Sequence, residues 1–416
     1  MTKQLNSGAE IFQKKHWEHS YGSIPKGWKF VPIGSIFIER KETAVVSDKV
    51  PLFSLTIDKG ITPKTERYER GFLLKEAEKN KFSIVKYGDF VFNPMNLRFG
   101  AIAYSRESKK VTVSGYYNVL ILKDKKIDID FLESYLRCHQ IMGLYNRIAI
   151  GSLIEKRRIH LSILNETYFA LPSPEEQLEI GNIIRKLDNY IALKNQLLNA
   201  KQEIRKGLMQ VLLTGKLRFS GHSKKWRTIA LGEVFNNRTE SGREDLPLLS
   251  ITGDGGVVNR DSLAKRDTSK KDKSRYLRIC PGDIGYNTMR MWQGVNGLSK
   301  LEGIVSPAYT VVTPDQTLDV EFIATFFKFP PIINLFRRHS QGLVDDTLNL
   351  KYRHFSEIKV TIPEKDEQIK IVSVFKIIDQ ELRGVKQQLD FLKVQKKGLM
   401  QQLMTGKKRT NIPKIV

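Results

Sequence analysis

The segment that decides the fold is KGLMQVLLTGK at residues 206–216, which recurs as KGLMQQLMTGK at residues 397–407. Nine of the eleven positions are identical at an offset of 191 residues, and 17 of the 47 positions from 172 to 218 match at the same offset. Chance does not produce this density of matches. The chain is therefore an internal duplication, with a period near half its length.

The repeat continues upstream of these segments, with an offset that drifts as loops change length. PLFSLTIDKG at 51–60 corresponds to PLLSITGDGG at 247–256, and the pair Gly88-Asp89 corresponds to Gly282-Asp283. Each half is thus a variable mixed region followed by a more faithful copy. We predict a first mixed domain, a first long helix, a second mixed domain and a second long helix over residues 1–172, 173–219, 220–363 and 364–416.

Each faithful copy predicts one long helix with a narrow apolar seam. In the first copy Ser173 fits the N-cap, Glu176 fits the acid of a capping box, and Gly215 fits the left-handed position that ends a helix. Seam residues alternate at spacings of four and three, which is typical of a coiled coil. The predicted interface residues are Ile184, Leu187, Ile191, Leu198, Leu208, Phe375, Ile378, Leu382, Leu389 and Leu399.

A long apolar seam needs a partner, and its duplicate is the obvious candidate. Two copies related by a pseudo-two-fold axis pair in antiparallel orientation. At 1.5 Å per residue such helices would form a rod of roughly 60 Å with a mixed region at each end. The alternative is that the two helices belong separately to the cores of two domains.

Composition and charge limit the class of protein. The chain has 416 residues, of which 40% are hydrophobic, and 69 Lys plus Arg against 45 Asp plus Glu give a net charge of +24. These values exclude a disordered tail, a disulfide scaffold and a collagen-like fibre, and they favour a polyanionic partner. Cys138 and Cys280 lie far apart and predict buried, unreactive thiols. Without an apolar span or signal core, we expect a soluble, cytoplasmic protein.

The mixed regions predict an α+β fold. Short β-branched runs such as FVFNP and YTVVTP, separated by Gly, Pro, Asn and Asp, indicate strands joined by turns. A helical pattern returns at residues 131–145 and 322–336, where the second copy is interrupted by Pro330-Pro331. The predicted architecture is two tandem α+β domains separated by two long helices that form an antiparallel coiled coil.

The loop after each Gly-Asp turn is the best candidate for DNA contact. The copies are NPMNLRFG at 93–100 and NTMRMWQG at 287–294. Asn, Gln and Arg can hydrogen-bond base edges in the major groove, whereas nearby lysines can neutralise phosphates. Alternatively, these are solvated connections between strands. The predicted DNA-binding residues are Asn93, Asn96, Arg98, Lys109, Lys110, Lys270, Lys271, Asn287, Arg290, Trp292 and Gln293.

No motif for catalysis or metal binding stands out. Gly215-Lys216 lacks the rest of a phosphate-binding loop, and no His or Cys pair has metal-site spacing. Asn93-Pro94 matches the start of the Asn-Pro-Pro-Tyr motif of adenine methyltransferases, but the following Pro and aromatic residue are missing. We therefore predict a reader without a catalytic site. The alternatives are an autonomous DNA methyltransferase or nuclease, and a coiled-coil scaffold that binds nucleic acid without reading it.

The tandem pattern resembles a known family. A variable region, then Pro-x-x-x-Glu-Gln, then a heptad helix ending in Gly-Leu-Met-Gln-x-Leu-x-Thr-Gly-Lys, resembles the specificity subunit of type I restriction-modification systems. NTMRMWQG followed by SPAYTVV at 306–312 resembles it as well. The resemblance covers nearly the whole chain and occurs in both copies.

The resemblance implies two target recognition domains, each reading one half of a bipartite, asymmetric DNA site. It also implies that two methyltransferase subunits dock on the helical regions and bind S-adenosylmethionine themselves, so that this chain binds no cofactor. Two motor-nuclease subunits that use ATP and magnesium would join for restriction. On this reading the chain is a noncatalytic specificity subunit.

Overall fold

The computed structural model describes residues 2–63, 81–253, 255–263 and 272–410. The chain divides into two compact units. The first unit combines Met1–Asn195 with Gln388–Val416, and the second is Gln196–Gln387. Each unit therefore holds one mixed domain together with part of each of two long helices.

The first unit contains an α+β domain. Its elements in chain order are α1 (Thr2–Tyr21), β1 (Lys29–Pro32), β2 (Phe37–Glu39), β3 (Thr43–Ala44), β4 (Phe53–Thr56), β5 (Gly60–Pro63), β6 (Phe82–Val85), β7 (Asp89–Phe92), β8 (Ile102–Tyr104), β9 (Val111–Val113), β10 (Asn118–Leu122), α2 (Ile129–Tyr135), α3 (His139–Ile148), α4 (Leu161–Glu166), β11 (Tyr168–Leu171) and α5 (Pro174–Leu212). An antiparallel sheet has the order β2-β10-β7-β8, a second sheet has β3-β6-β9, and β1 pairs with β11 and β4 with β5. Phe90 and Phe92 of the first sheet pack with Phe131 and Tyr135 of α2 in one core.

The second unit repeats this architecture. Its elements are β12 (Arg227–Ala230), α6 (Leu231–Val234), β13 (Phe235–Asn237), β14 (Leu249–Thr252), β15 (Gly256–Asn259), β16 (Leu277–Ile279), β17 (Ile284–Asn287), β18 (Asn296–Leu298), β19 (Gly303–Val305), β20 (Tyr309–Pro314), α7 (Val320–Phe326), α8 (Pro330–His339), α9 (Tyr352–Ser356), β21 (Lys359–Ile362) and α10 (Lys365–Met404). The sheet order β13-β20-β17-β18 matches that of the first unit. The predicted α+β class and internal repeat are confirmed.

The Gly-Asp turn fixes the start of the central strand in each unit. The glycine has a φ of 94° in both copies, which is a conformation that favours glycine. The buried Asp89 carboxylate accepts a hydrogen bond from Arg40 Nε at 2.7 Å, and Asp283 accepts one from Arg238 Nε at 2.7 Å. Because each carboxylate also accepts a nearby main-chain N–H, the turn and its strand are held together.

The long helices begin and end close to the predicted residues. Helix α5 runs from Pro174 to Leu212, and α10 from Lys365 to Met404. Gly215 and Gly406, which follow them, have φ values of 69° and 65°. Both glycines thus adopt the left-handed conformation that stops a helix.

Burial along both helices follows a heptad pattern. Every predicted seam position is buried or half-buried, whereas most of the residues between them along the middle of α5 are exposed. The interface residues divide between the units: Ile184, Leu187, Ile191, Leu389 and Leu399 lie in the first, and Leu198, Leu208, Phe375, Ile378 and Leu382 lie in the second. In each unit, one face of each helical segment is therefore covered.

The few polar seam residues bind polar side chains of the other helix. In the first unit Lys396 pairs with Asp188, and Lys194 Nζ donates to Gln388 at 2.9 Å. The partner numbers fall as the residue numbers rise, so the two segments are antiparallel.

In the second unit, too, the polar seam residues bind polar side chains of the other, antiparallel helix. Lys201 Nζ lies 2.7 Å from Glu381, and Arg205 Nε lies 2.6 Å from Asp379. These half-exposed ion pairs contribute little stability, but a polar seam residue that must meet its partner selects one register.

Two predicted helical stretches are broken into two helices each. In the first unit α2 ends at Tyr135. Cys138 has an extended backbone (φ −70°, ψ 156°) and is the N-cap of α3. In the second unit Pro330 is the first residue of α8 rather than an interruption within a helix. A proline fits there because the first N–H groups of a helix need no intrahelical acceptor.

The side chain of Glu176 does not form the predicted capping box. It is buried, and it accepts hydrogen bonds from Trp28 Nε1 at 3.1 Å and from Arg409 Nε at 2.6 Å. The Glu176 carboxylate thus binds the indole of Trp28 and the guanidinium of Arg409, instead of the backbone N–H that a capping box would use. This cluster joins residues from near both ends of the chain inside the first unit.

The second unit contains the same cluster. Glu367 is buried and accepts hydrogen bonds from Trp226 Nε1 at 3.1 Å and Arg218 Nε at 2.9 Å. Arg218 and Arg409 occupy equivalent positions, three residues after the glycine that ends each long helix. Each arginine therefore ties the segment after one helix to the first turn of the other helix.

The two cysteines are free thiols. Burial raises the pKa of Cys138 to about 11, so its reactive thiolate is scarce at neutral pH. Within the described ranges, no helix is long and apolar enough to cross a membrane.

We predict that Arg409→Ala lowers the free energy of unfolding of the first unit by about 2 kcal/mol, because it leaves a buried carboxylate with one neutral donor. Urea-dependent hydrogen exchange, followed on peptides of each unit, measures this change. Lys408→Ala removes the same charge from an exposed neighbour and is the matched control. Equal effects of the two substitutions would contradict the assignment.

Candidate nucleic-acid interface

The two loops predicted to contact DNA have the same backbone. Each follows the central strand of its sheet, forms a 3-10 turn at Leu97–Phe99 or Met291–Gln293, and ends at a left-handed glycine with φ of 86° or 78°. Leu97 and Met291 are fully buried and anchor the turns. The frame of the loop is thus set by the core, whatever the exposed residues are.

The asparagine that begins each loop shapes it. Asn93 Oδ1 accepts the N–H of Met95 at 3.0 Å, and Asn287 Oδ1 accepts the N–H of Met289 at 3.0 Å. Burial raises the pKa of Tyr117, and the neighbouring Asn93 side chain acts in the opposite direction. In both copies the amide oxygen thus accepts one main-chain N–H and keeps a second lone pair.

The exposed side chains differ between the loops. In the first unit Asn96 and Phe99 are exposed, and the Arg98 guanidinium lies 4.4 Å from the centre of the Phe99 ring. Arg98 itself is half-buried, and its Nε is buried without a hydrogen-bond partner among the described residues.

In the second unit Arg290 and Gln293 are exposed. Trp292 is half-buried, and its Nε1 donates to the carbonyl of Met289 at 3.0 Å. Its ring also lies 5.4 Å below the Arg337 guanidinium. Trp292 therefore braces the loop, while Arg290 and Gln293 make no side-chain hydrogen bond to the described part of the chain and point their donors outward.

Main-chain hydrogen bonds tie each loop to a second segment. In the first unit the N–H of Ile159 donates to the carbonyl of Pro94 at 3.0 Å. In the second unit Leu350 donates to Thr288 at 2.8 Å, and Thr288 donates to Ala308 at 3.2 Å. The candidate surface thus includes the segments that precede α4 and α9 as well as the loops. The sequence patterns did not single out these segments, because their role depends on tertiary pairing.

Two of the four predicted lysines, Lys109 and Lys110, lie away from the reading loop of the first unit. Lys109 and Lys110 are exposed in the connection between β8 and β9, at the end of the sheet where Asp89 lies, whereas the loop leaves from the other end. Lys270 and Lys271 lie outside the described residues. In the same basic stretch, Arg278 is paired with Glu240 and Glu302, so its charge is neutralised within the protein.

The described residues contain no cluster of three His, Cys, Asp or Glu side chains that could hold a metal ion. The chemistry of the loops is that of hydrogen-bond donors and acceptors on a surface. Such a surface can bind and discriminate, and the roles of the individual loop residues stay predictions.

Comparisons with known proteins agree with this picture. Residues 25–202 match the family model described as type I restriction modification DNA specificity domain. The chain is 22% identical to the MjaX type I restriction enzyme specificity subunit of Methanocaldococcus jannaschii over 428 residues, which cover 93% of this chain and 95% of the relative. It is 25% identical to the MjaVIII specificity subunit of the same organism over 243 residues, 52% of each protein.

Two solved structures share the fold. The S subunit of a type I restriction-modification system from M. genitalium has a TM-score of 0.52 and 18% identity, with 90% of this chain and 96% of that chain covered. A chain from a structure of complex assembly and conformational transition in a type I system has a TM-score of 0.53 and 15% identity, with 92% and 98% covered.

We predict that Asn287→Ala loosens the second loop, because it removes the acceptor for the Met289 N–H. A lost hydrogen bond of about 1 kcal/mol corresponds to roughly fivefold faster amide exchange. Hydrogen exchange of peptides spanning 287–296 measures it. Arg290→Ala, which removes an exposed side chain from the same loop, should leave the rate unchanged; faster exchange in both variants would refute the role of Asn287.

Proposed function

We propose, because this chain belongs to the type I restriction-modification DNA specificity subunits, that each of its units reads one half of a bipartite, asymmetric DNA site. The chain is the noncatalytic specificity subunit of such a system. An autonomous methyltransferase or nuclease, or a scaffold that binds nucleic acid without reading it, is not favoured. The cytoplasmic location expected from the sequence stays a prediction.

The observation that carries the proposal is one loop frame that presents two sets of side chains. Asn96 and Phe99 in the first unit stand at the positions of Arg290 and Gln293 in the second. An exposed arginine can bind guanine through two donors, whereas an asparagine matches adenine. Two readers with different exposed donors fit a site whose halves differ in sequence.

The net charge supports binding to the phosphate backbone. With 69 basic against 45 acidic side chains, the chain attracts DNA through release of counterions, independently of sequence. Affinity from this source falls steeply with salt. The exposed loop residues would then supply discrimination on top of a salt-sensitive background.

Partners of the chain are DNA and the methyltransferase and restriction subunits of the system. We propose two copies of each protein partner, with S-adenosylmethionine bound by the methyltransferase and ATP with magnesium by the restriction subunits. The outer face of α5 supports docking of a helix. In the first unit Tyr190 and Leu193 are exposed on this helix at a spacing of three residues, and in the second unit Leu197 and Ile204 are exposed at a spacing of seven.

Mapping of DNA methylation at single-base resolution tests the function. DNA would come from cells that express this chain with its methyltransferase subunit, and from cells that express either protein alone. Methyl-adenine in a split motif only when both are present is the expected result. Methylation with this chain alone would reveal a catalytic site and refute the proposal.

Substitution of Arg290 and Gln293 tests the assignment of the half-sites. Arg290→Ala together with Gln293→Ala should relax preference at one half-site, because a bidentate contact contributes about 1–3 kcal/mol of discrimination. Asn96→Ala, at the equivalent position of the first unit, is the matched control and should affect only the other half-site. Altered preference at both half-sites in either variant would contradict the assignment of one unit to each half-site.

A further inference from the structure

A second duplicated loop lies beside each candidate reading loop. It connects α3 to α4 in the first unit and α8 to α9 in the second. Two main-chain hydrogen bonds close it, between Ile150 and Arg158 at 3.0 and 2.9 Å and between Gln341 and Asn349 at 2.9 and 2.8 Å. We call these two segments, 150–158 and 341–349, the tip loops; their offset is the 191 residues of the long helices.

A matched glycine makes the two tip loops alike. Gly151 and Gly342 have φ values of 147° and 144°. A Cβ atom at Gly342 would lie 2.6 Å from the main-chain oxygen of Thr347, and one at Gly151 would lie 3.0 Å from Cα of Arg157. Both loops therefore have a tightly closed backbone at a position that favours glycine.

Each tip loop contains two consecutive exposed aliphatic side chains. Leu153 and Ile154 are 54% and 70% exposed, and Leu343 and Val344 are 100% and 61% exposed. A single exposed aliphatic residue needs no explanation. Both tip loops carry a consecutive pair, although at the offset of 191 residues only Leu153 and Val344 correspond, whereas Ile154 corresponds to Asp345 and Ser152 to Leu343.

The position of the tip loops favours DNA over solvent or another protein. Ile159 and Leu350, which directly follow the loops, donate the main-chain hydrogen bonds to the reading loops described above. The first tip is followed by exposed Lys156, Arg157 and Arg158. In the second, Asp345 is paired with Arg337 at 2.8 Å, and the next residue, Asp346, is exposed.

We propose that the tip loops are apolar wedges, which enter a groove beside the bases read by each unit and partly unstack one base step. Aliphatic side chains inserted between base pairs are a general device for kinking DNA. Leu343 and Val344 act in the second half-site, and Leu153 and Ile154 in the first. The inference rests on the proposed function, since the wedge needs the reading loop to face DNA.

Fluorescence of 2-aminopurine tests the wedge. The probe is a duplex that contains the methylated motif, with 2-aminopurine placed at one base step after another within and beside the second half-site, but not at the target adenine. The chain is used in complex with its methyltransferase subunit. At one step the wild-type complex should raise the fluorescence at least about threefold through unstacking, and Leu343→Ser with Val344→Ser should abolish the rise.

Two controls make the result decisive. Leu301→Ser changes an exposed aliphatic residue in the turn between β18 and β19 and should leave the rise unchanged. The double variant replaces only exposed side chains, so an unaltered Tm and unaltered assembly with the methyltransferase are expected.

Each other outcome has a distinct meaning. Specific binding without a rise at any step would overturn the wedge and leave the proposed function intact. Absence of specific binding by the wild-type complex would overturn the proposed function itself. Loss of assembly by the double variant without DNA would show that the tip contacts the methyltransferase and would overturn the wedge.

Discussion

Four basic side chains in an otherwise apolar seam set how the long helices pair inside each unit. Lys194 and Lys396 in the first unit and Lys201 and Arg205 in the second each have a polar partner on the opposite helix. Aliphatic seams tolerate shifts by a heptad, whereas a shifted seam would leave these cations facing apolar residues. The register is therefore fixed by groups that add little to stability.

The register in turn places the buried glutamates. With the helices antiparallel, the segment after one helix arrives at the first turn of the other, where Arg409 meets Glu176 and Arg218 meets Glu367. Each buried carboxylate then accepts hydrogen bonds from a guanidinium and an indole. In the first unit, this cluster ties residues from near both chain ends to one core. That unit therefore depends on the second repeat for its own completion.

Periodicity and glycine positions could be predicted from the sequence, because they express local rules. The seam, the stops at Gly215 and Gly406, the α+β class and the duplication follow from spacing alone. The partner of Glu176 could not, since a capping box and a tertiary arginine use the same carboxylate. The break before Cys138 was likewise not marked by the apolar spacing of residues 131–145.

The differences between the two copies show that the residues that hold the loop conformation are not the residues proposed to read DNA. Buried anchors such as Leu97 and Met291, and the left-handed glycines after them, hold the loop frame. The exposed positions do not hold this loop conformation, so Asn96 and Arg290 can differ without a change in the fold of either domain. The tip loops differ from the reading loops, because each keeps two consecutive exposed aliphatic residues while the residues that follow change from basic to acidic or neutral. Recognition of phosphates needs positive charge, which the second tip loop lacks. Apolar contact with stacked bases does not need it, so the two tip loops fit bases better than phosphates.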